Sequence, residues 1–102
     1  MQTAQSRVEL IKRQLQELDA INSQAQKDLN TVAGVERVKK WKAKTVPLFS
    51  AELGPEAAQR LAATTPGPSF TSDLLEELSD EIEVYRNCLL QLLDEIKKSS
   101  DG

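Results

Sequence analysis

From Phe70 to Ile96 the chain carries one unbroken heptad rhythm. Leu75, Leu78, Ile82, Tyr85, Leu89, Leu92 and Ile96 follow one another at alternating steps of 3 and 4 residues. Only a helix packed along its whole length against other helices needs its apolar residues on one face in that way. Leu74, Cys88, Leu90 and Leu93 widen the stripe beyond a narrow coiled-coil seam. The spacing therefore predicts the core face of a bundle.

A second pattern of the same kind opens the chain. Ala4, Val8, Ile11, Leu15, Leu18, Asn22, Ala25, Leu29 and Val32 predict a first helix from about Thr3 to Val32. Gln, Glu, Lys, Arg and Leu dominate it, all good helix formers. At about 1.5 Å per residue it would be roughly 40 Å long. Asn22 stands where the rhythm wants an apolar side chain. Either the stripe drifts, so that Ile21 takes the core place and Asn22 faces water, or a buried Asn fixes register. Asn30 and Thr31 are weak helix formers, and Gly34 just beyond them reads as the C-terminal cap of a helix ending near Ala33.

A second helix is expected from Val35, with Val38, Trp41, Thr45, Leu48, Phe49 and Leu53 on one face. Pro47 lies inside it, lacks a backbone donor and crowds the preceding turn, which predicts a kink or a short break. Gly54-Pro55 ends the segment, with Gly as cap and Pro as the first residue of a short third helix to about Ala63. That helix offers only Ala57, Ala58, Leu61 and Ala62 as an apolar face. The run 64–71, TTPGPSFT, reads as a loop. The fourth helix should start within a residue or two of Ser72. Its cap is either Thr71, with Phe70 and Leu75 as a hydrophobic staple, or Asp73, with Glu76 completing a capping box. It should run to about Lys98, where Lys97 and Lys98 suit the negative end of the helix dipole. The expectation is one all-α, four-helix, bundle-like domain over 1–102. Two long antiparallel helices would bracket a kinked helix and a short one.

Composition narrows the chemistry. The 102 residues include no His and a single Cys. That excludes a His-based triad, a CxxC site, a zinc finger, a His-ligated metal and an internal disulfide. Tyr85 and Cys88 fall on or beside the packing face and read as core residues. No enzyme activity, cofactor or metal is expected. The net charge of −3 gives no global basic field, which argues against nucleic acid and anionic membranes as general partners. No apolar run reaches the roughly 20 residues of a membrane span. The first residues lack the apolar region of a signal peptide, and a lone Cys fits a reducing compartment, so a cytoplasmic protein is expected.

Two charged blocks remain. Arg37, Lys39, Lys40, Lys42 and Lys44 surround Trp41, with Glu36 the one acid nearby. Glu76, Glu77, Asp80, Glu81 and Glu83 form the opposite block. If the blocks meet within one molecule they are solvated pairs worth little each. If they meet between molecules they make a head-to-tail contact that builds rings or filaments.

The segment Glu36-Arg37-x-x-x-Trp41-Lys42-x-Lys44-Thr45-x-x-x-x-Phe49-x-x-x-x-Gly54 resembles a pattern in small helical modules of bacterial conflict-system proteins. Such modules often stand N-terminal to TIR-like effector domains. The likeness spans about half the chain and departs at Pro47. It implies an interaction or sensing module of an anti-phage system and carries over no catalytic residue.

The expectation from these readings is a non-enzymatic module for protein–protein association, chiefly self-association. Arg37, Lys39, Lys40, Lys42, Lys44, Glu76, Glu77, Asp80 and Glu81 would be its partner-binding residues. The alternative is a small nucleotide- or phosphate-sequestering protein that uses the basic helix 37–44 as a clamp.

Overall fold

A computed structural model describes residues 4–67 and 73–101, with side chains up to Lys98 in the last helix. It shows four α-helices: α1 (Ala4–Asp28), α2 (Thr31–Glu52), α3 (Pro55–Ala63) and α4 (Leu74–Asp101). The all-α bundle class is as the heptads predict. Among the described residues there is no strand.

Side-chain contacts fix the directions of the helices. Asp19 meets Arg86 and Asn22 meets Ser79, so α1 and α4 run antiparallel. Gln14 meets Trp41 and Glu17 meets Lys44, so α1 and α2 are antiparallel too. α2 and α4 are then parallel neighbours, with Lys42 beside Tyr85. At 22 residues α2 is itself long. The molecule is thus a three-helix bundle 45 Å in its longest dimension, with α3 folded back on α2 and α4 at one end.

The core is one cluster from all four helices. Ile11, Leu18 and Ala25 come from α1, Val38, Trp41 and Phe49 from α2, Ala58 and Leu61 from α3, and Leu78, Ile82, Tyr85, Leu89 and Leu92 from α4. Cys88 is buried among them as a small apolar group. Two polar side chains join this core, Gln14 and Thr45. Gln14 Oε1 accepts a hydrogen bond from Trp41 Nε1 at 2.9 Å and one from Thr45 Oγ1 at 3.4 Å. The triad satisfies the indole N–H, which would otherwise cost about 1–3 kcal/mol as an unmet buried donor. Trp41 packs tilted against Tyr85 with centroids 5.7 Å apart.

The α1–α2 connection departs from the sequence reading. α1 stops at Asp28, and Leu29 turns the chain with φ +55°. Asn30 then caps α2, its Oδ1 accepting from the Ala33 N–H at 3.1 Å. Gly34 is therefore no C-cap: it lies buried in the first turns of α2. A Cβ there would sit 2.5 Å from Leu78 Cδ2 and 3.1 Å from the Ala25 Cβ. Gly34 is small because three helices converge on it, and Asn30 is the residue that separates the two helices. Leu29 and Val32, counted on the first heptad stripe, are each 74 % exposed because the helix has already ended.

The other boundaries follow the sequence more closely. α2 runs through Pro47 without a break. Pro47 removes the helical partner of the Ala43 carbonyl, and Ala43 is exposed, so the loss falls on the solvent side of α2. α2 is capped by Leu53, and Gly54, with φ +105°, donates to the Phe49 carbonyl at 3.0 Å and precedes Pro55 at the start of α3. Asp73 caps α4, its Oδ1 accepting from the N–H of Leu75 at 3.0 Å and of Glu76 at 3.3 Å. The alternative cap Thr71 and its staple partner Phe70 lie outside the described residues.

Candidate functional site

The basic block does not form one patch. α2 is the middle of the bundle, so its solvent-facing residues divide between two flanks. On the α1 flank, Arg37, Lys40 and Lys44 edge a shallow groove over Ile21 and Trp41. Lys44 is already held there by Glu17, at 3.0 Å. On the α4 flank, Lys39 and Lys42 face Glu81. Lys42 is half-buried, donates from Nζ to the Thr64 carbonyl at 2.8 Å, and lies 5.0 Å from the centre of the Tyr85 ring. It ties α2 to the end of α3 and to α4 instead of projecting into solvent. A phosphate clamp on helix 37–44 would need these cations to converge, and they point to two different sides.

The acidic block divides too. Glu81 is half-buried between α2 and α4. Burial pushes its carboxyl above the ordinary range, while Lys39 and Lys42 pull it back down. Burial also raises the Tyr85 phenol, with the Glu81 charge adding to it. Glu76, Glu77 and Asp80 stay exposed. Part of the two blocks thus meets inside one molecule, through Glu81.

The helices are further clasped by polar contacts that no block signalled. Ser79 Oγ donates to Asn22 Oδ1 at 2.9 Å and accepts from Gln26 Nε2 at 3.2 Å. Asn22 is half-buried, so it neither faces water nor sits in the core; it pins α1 to α4 at the core's edge. Arg86 Nε lies 3.0 Å from Asp19 Oδ1 as an ion pair, off the line of a hydrogen bond, which leaves that buried nitrogen without a hydrogen-bond partner. Arg60 grips Glu95 with both terminal nitrogens, each 2.8 Å from a carboxylate oxygen. This bidentate pair raises the guanidinium's affinity for its proton and holds the Glu95 carboxyl below its ordinary value.

The feature that the sequence reading missed is apolar. Val32 and Leu74, 74 % and 60 % exposed, stand across a groove between the first turns of α2 and α4. Val35 and Leu78 form its floor, and Glu36, Glu77 and Glu81 are its charged residues. The groove has a volume of about 250 Å³. Leu29 is exposed in the turn at the same end. The available signal was Asn30: read as a cap, it strands Leu29 outside α1 and starts α2 at Thr31, which turns Val32 outward.

Among the described residues, no three Cys, Asp or Glu side chains are placed to hold a metal ion, and no helix is long and apolar enough to cross a membrane. No protein-family model, characterised protein or solved structure matches the chain.

Proposed function

We propose that the chain is a non-enzymatic protein-association module that meets another protein chain at the α1–α2 end of the bundle. The observation that carries this is the group of large aliphatic side chains left in water there, Leu29, Val32 and Leu74. Isolated exposed aliphatics are ordinary, but several gathered at one end beside a concave surface mark an interaction site. Most of the rest of the heptad stripe is consumed by the bundle's own core, Leu90 excepted.

Self-association is the form of this reading in which the partner is a second copy. Arg37 and Lys40 on one copy would then meet Glu77 and Asp80 on the next. Lys42, Lys44 and Glu81 are engaged within the molecule, which leaves fewer charges for that contact than the sequence offers. The resemblance of the 36–54 segment to bacterial conflict-system modules fits an association role and assigns no chemistry to it.

A photo-crosslinking residue at position 32, with position 16 on the exposed side of α1 as control, tests the reading in cells that make the protein. The expected result is a discrete adduct of higher mass from position 32 and none from position 16. An adduct of doubled mass identifies a second copy. Equal, diffuse labelling from both positions, or none from either, overturns the proposal.

A further inference from the structure

The groove between α2 and α4 has a chemistry of its own, which specifies what can fill it. Its floor and lips are aliphatic: Val32 and Val35 from α2, Leu74 and Leu78 from α4. Every charged residue that lines it is a carboxylate. Glu36 and Glu77 are exposed and form no ion pair among the described residues. Glu81, deeper, already faces Lys39 and Lys42.

Three kinds of occupant can be weighed. A small molecule wants an enclosed pocket of roughly 300–1,000 Å³, and this groove is open and only about 250 Å³. A second copy placed symmetrically would set the carboxylates of one groove against those of the other, and like charges across an interface are costly. A second copy placed head-to-tail would offer Arg37 and Lys40, but those residues edge a shallow groove of their own, and two concave surfaces do not interlock. What remains is a convex element with aliphatic side chains on one face and cations beside them.

We infer that the groove receives one cationic amphipathic helix of a partner protein, whose aliphatic residues enter between Val32 and Leu74 while its Lys or Arg side chains pair with Glu36 and Glu77. This is the helix-in-groove mode, in which anchors at i, i+3, i+4 and i+7 fill an apolar cleft and flanking charges set orientation and on-rate. Glu36 lies on α2 and Glu77 on α4, so cations on both borders of the incoming helix's apolar stripe are engaged. A chain of net charge −3 adds a weak long-range pull on a basic partner. The inference rests on the association reading above and names the partner's chemistry.

The test uses the full chain and a synthetic amphipathic helix built only of Leu and Lys, with its Leu/Glu counterpart as the control. Backbone amide NMR and anisotropy of the labelled peptide give the site and the affinity. The expected result is saturable Leu/Lys binding, with shifts centred on residues 31–36 and 74–81 and no binding of the Leu/Glu peptide. The double variant E36K/E77K should bind roughly tenfold more weakly, or worse, and added salt should no longer weaken the binding that remains. V32S should weaken binding as well, while L90S, at an exposed aliphatic position outside the groove, should leave it unchanged. All these positions are exposed, so folding is not at stake, and the circular dichroism of each variant verifies it. Binding that is equal in E36K/E77K, shifts centred elsewhere, or a wild-type dimer that V32S dissociates and the peptide cannot displace would each overturn the inference. Crosslinking at position 32 reads occupancy whatever the occupant's chemistry. A discrete adduct there without Leu/Lys binding overturns the cationic-helix partner and leaves the association module standing. Peptide binding without any adduct overturns the association module and, with it, the partner whose helix is inferred here.

Discussion

The bundle makes two tight helix-to-helix connections, and it solves the same problem differently in each. At the α2–α3 junction the residue with positive φ is Gly54, in open space, followed by Pro55. At the α1–α2 junction the residue with positive φ is Leu29, while the nearby glycine, Gly34, is helical and wedged against Leu78 and Ala25. One glycine is there for its backbone and the other for its missing side chain. Both reasons leave the same letter in the sequence. The first junction is cheap and quiet. The second is strained, tightly packed beneath and apolar above, and it carries the candidate interaction groove. An αL residue that is not glycine stores strain, and such strain collects at functional places. Leu29 holds a large aliphatic side chain in solvent at some cost to the fold.

The comparison is broken most severely at Gly34. Gly34→Val adds three carbons where even one meets Leu78 at 2.5 Å. Leu78 has to shift, and the Ala25 Cβ at 3.1 Å closes the other side, so overpacking should outweigh the gain in helix propensity of at most about 1 kcal/mol. A loss of about 3 kcal/mol is expected, read as a lower urea midpoint with an unchanged slope. Gly54→Ala comes next. Nothing lies within 4 Å of its added Cβ, so only the backbone at φ +105° objects, and a loss of about 2 kcal/mol should appear in the same measurement. If the losses come in the opposite order, the assignment of the two glycines to packing and to backbone fails.

Leu29→Gly should act in the other direction. It relieves the left-handed strain and removes no buried contact, so the midpoint should rise by the equivalent of about 1 kcal/mol. Partner binding at the groove end should not improve with it. A fall in stability would mean that the exposed leucine supports the fold. The smallest effect is expected at Glu81. A carboxyl raised by burial favours folding most below the ordinary carboxylate pKa, and that contribution is lost as pH rises through the raised value. Glu81→Gln should therefore be at least as stable as the native chain near neutral pH and should gain less on acidification. Urea titrations at two pH values measure both. A marked loss near neutral pH would show that the attraction of Lys39 and Lys42 outweighs the desolvation of the carboxylate.

Heptad spacing in 75–96 was enough to specify a packed helix, because a 3–4 rhythm has one geometric meaning whatever the helix meets. The same holds for α3, where Gly54, Pro55 and a nine-residue apolar rhythm fix both ends locally. The residues expected to bind a partner were legible as charges and not as a surface. Whether Lys42 faces solvent or covers Tyr85, and whether Glu81 stands free or under Lys39, depends on which helices flank α2. Gln14 shows the same limit from inside. It looks like a surface glutamine until Trp41, 27 residues on, brings an indole N–H to it.

Local chemistry by itself thus determined the helical class, the four elements, the capping of α3 and the absence of histidine chemistry. Only the tertiary structure decided what Gly34 is for, how the charges divide, and that Val32 and Leu74 face each other across an acidic groove. The physical reason is one of range. Propensity, capping and periodicity act within a turn or two of the chain. Burial, charge pairing and close approach are properties of residues far apart in the chain, 57 positions in the case of Asn22 and Ser79, and they exist only once the helices have packed.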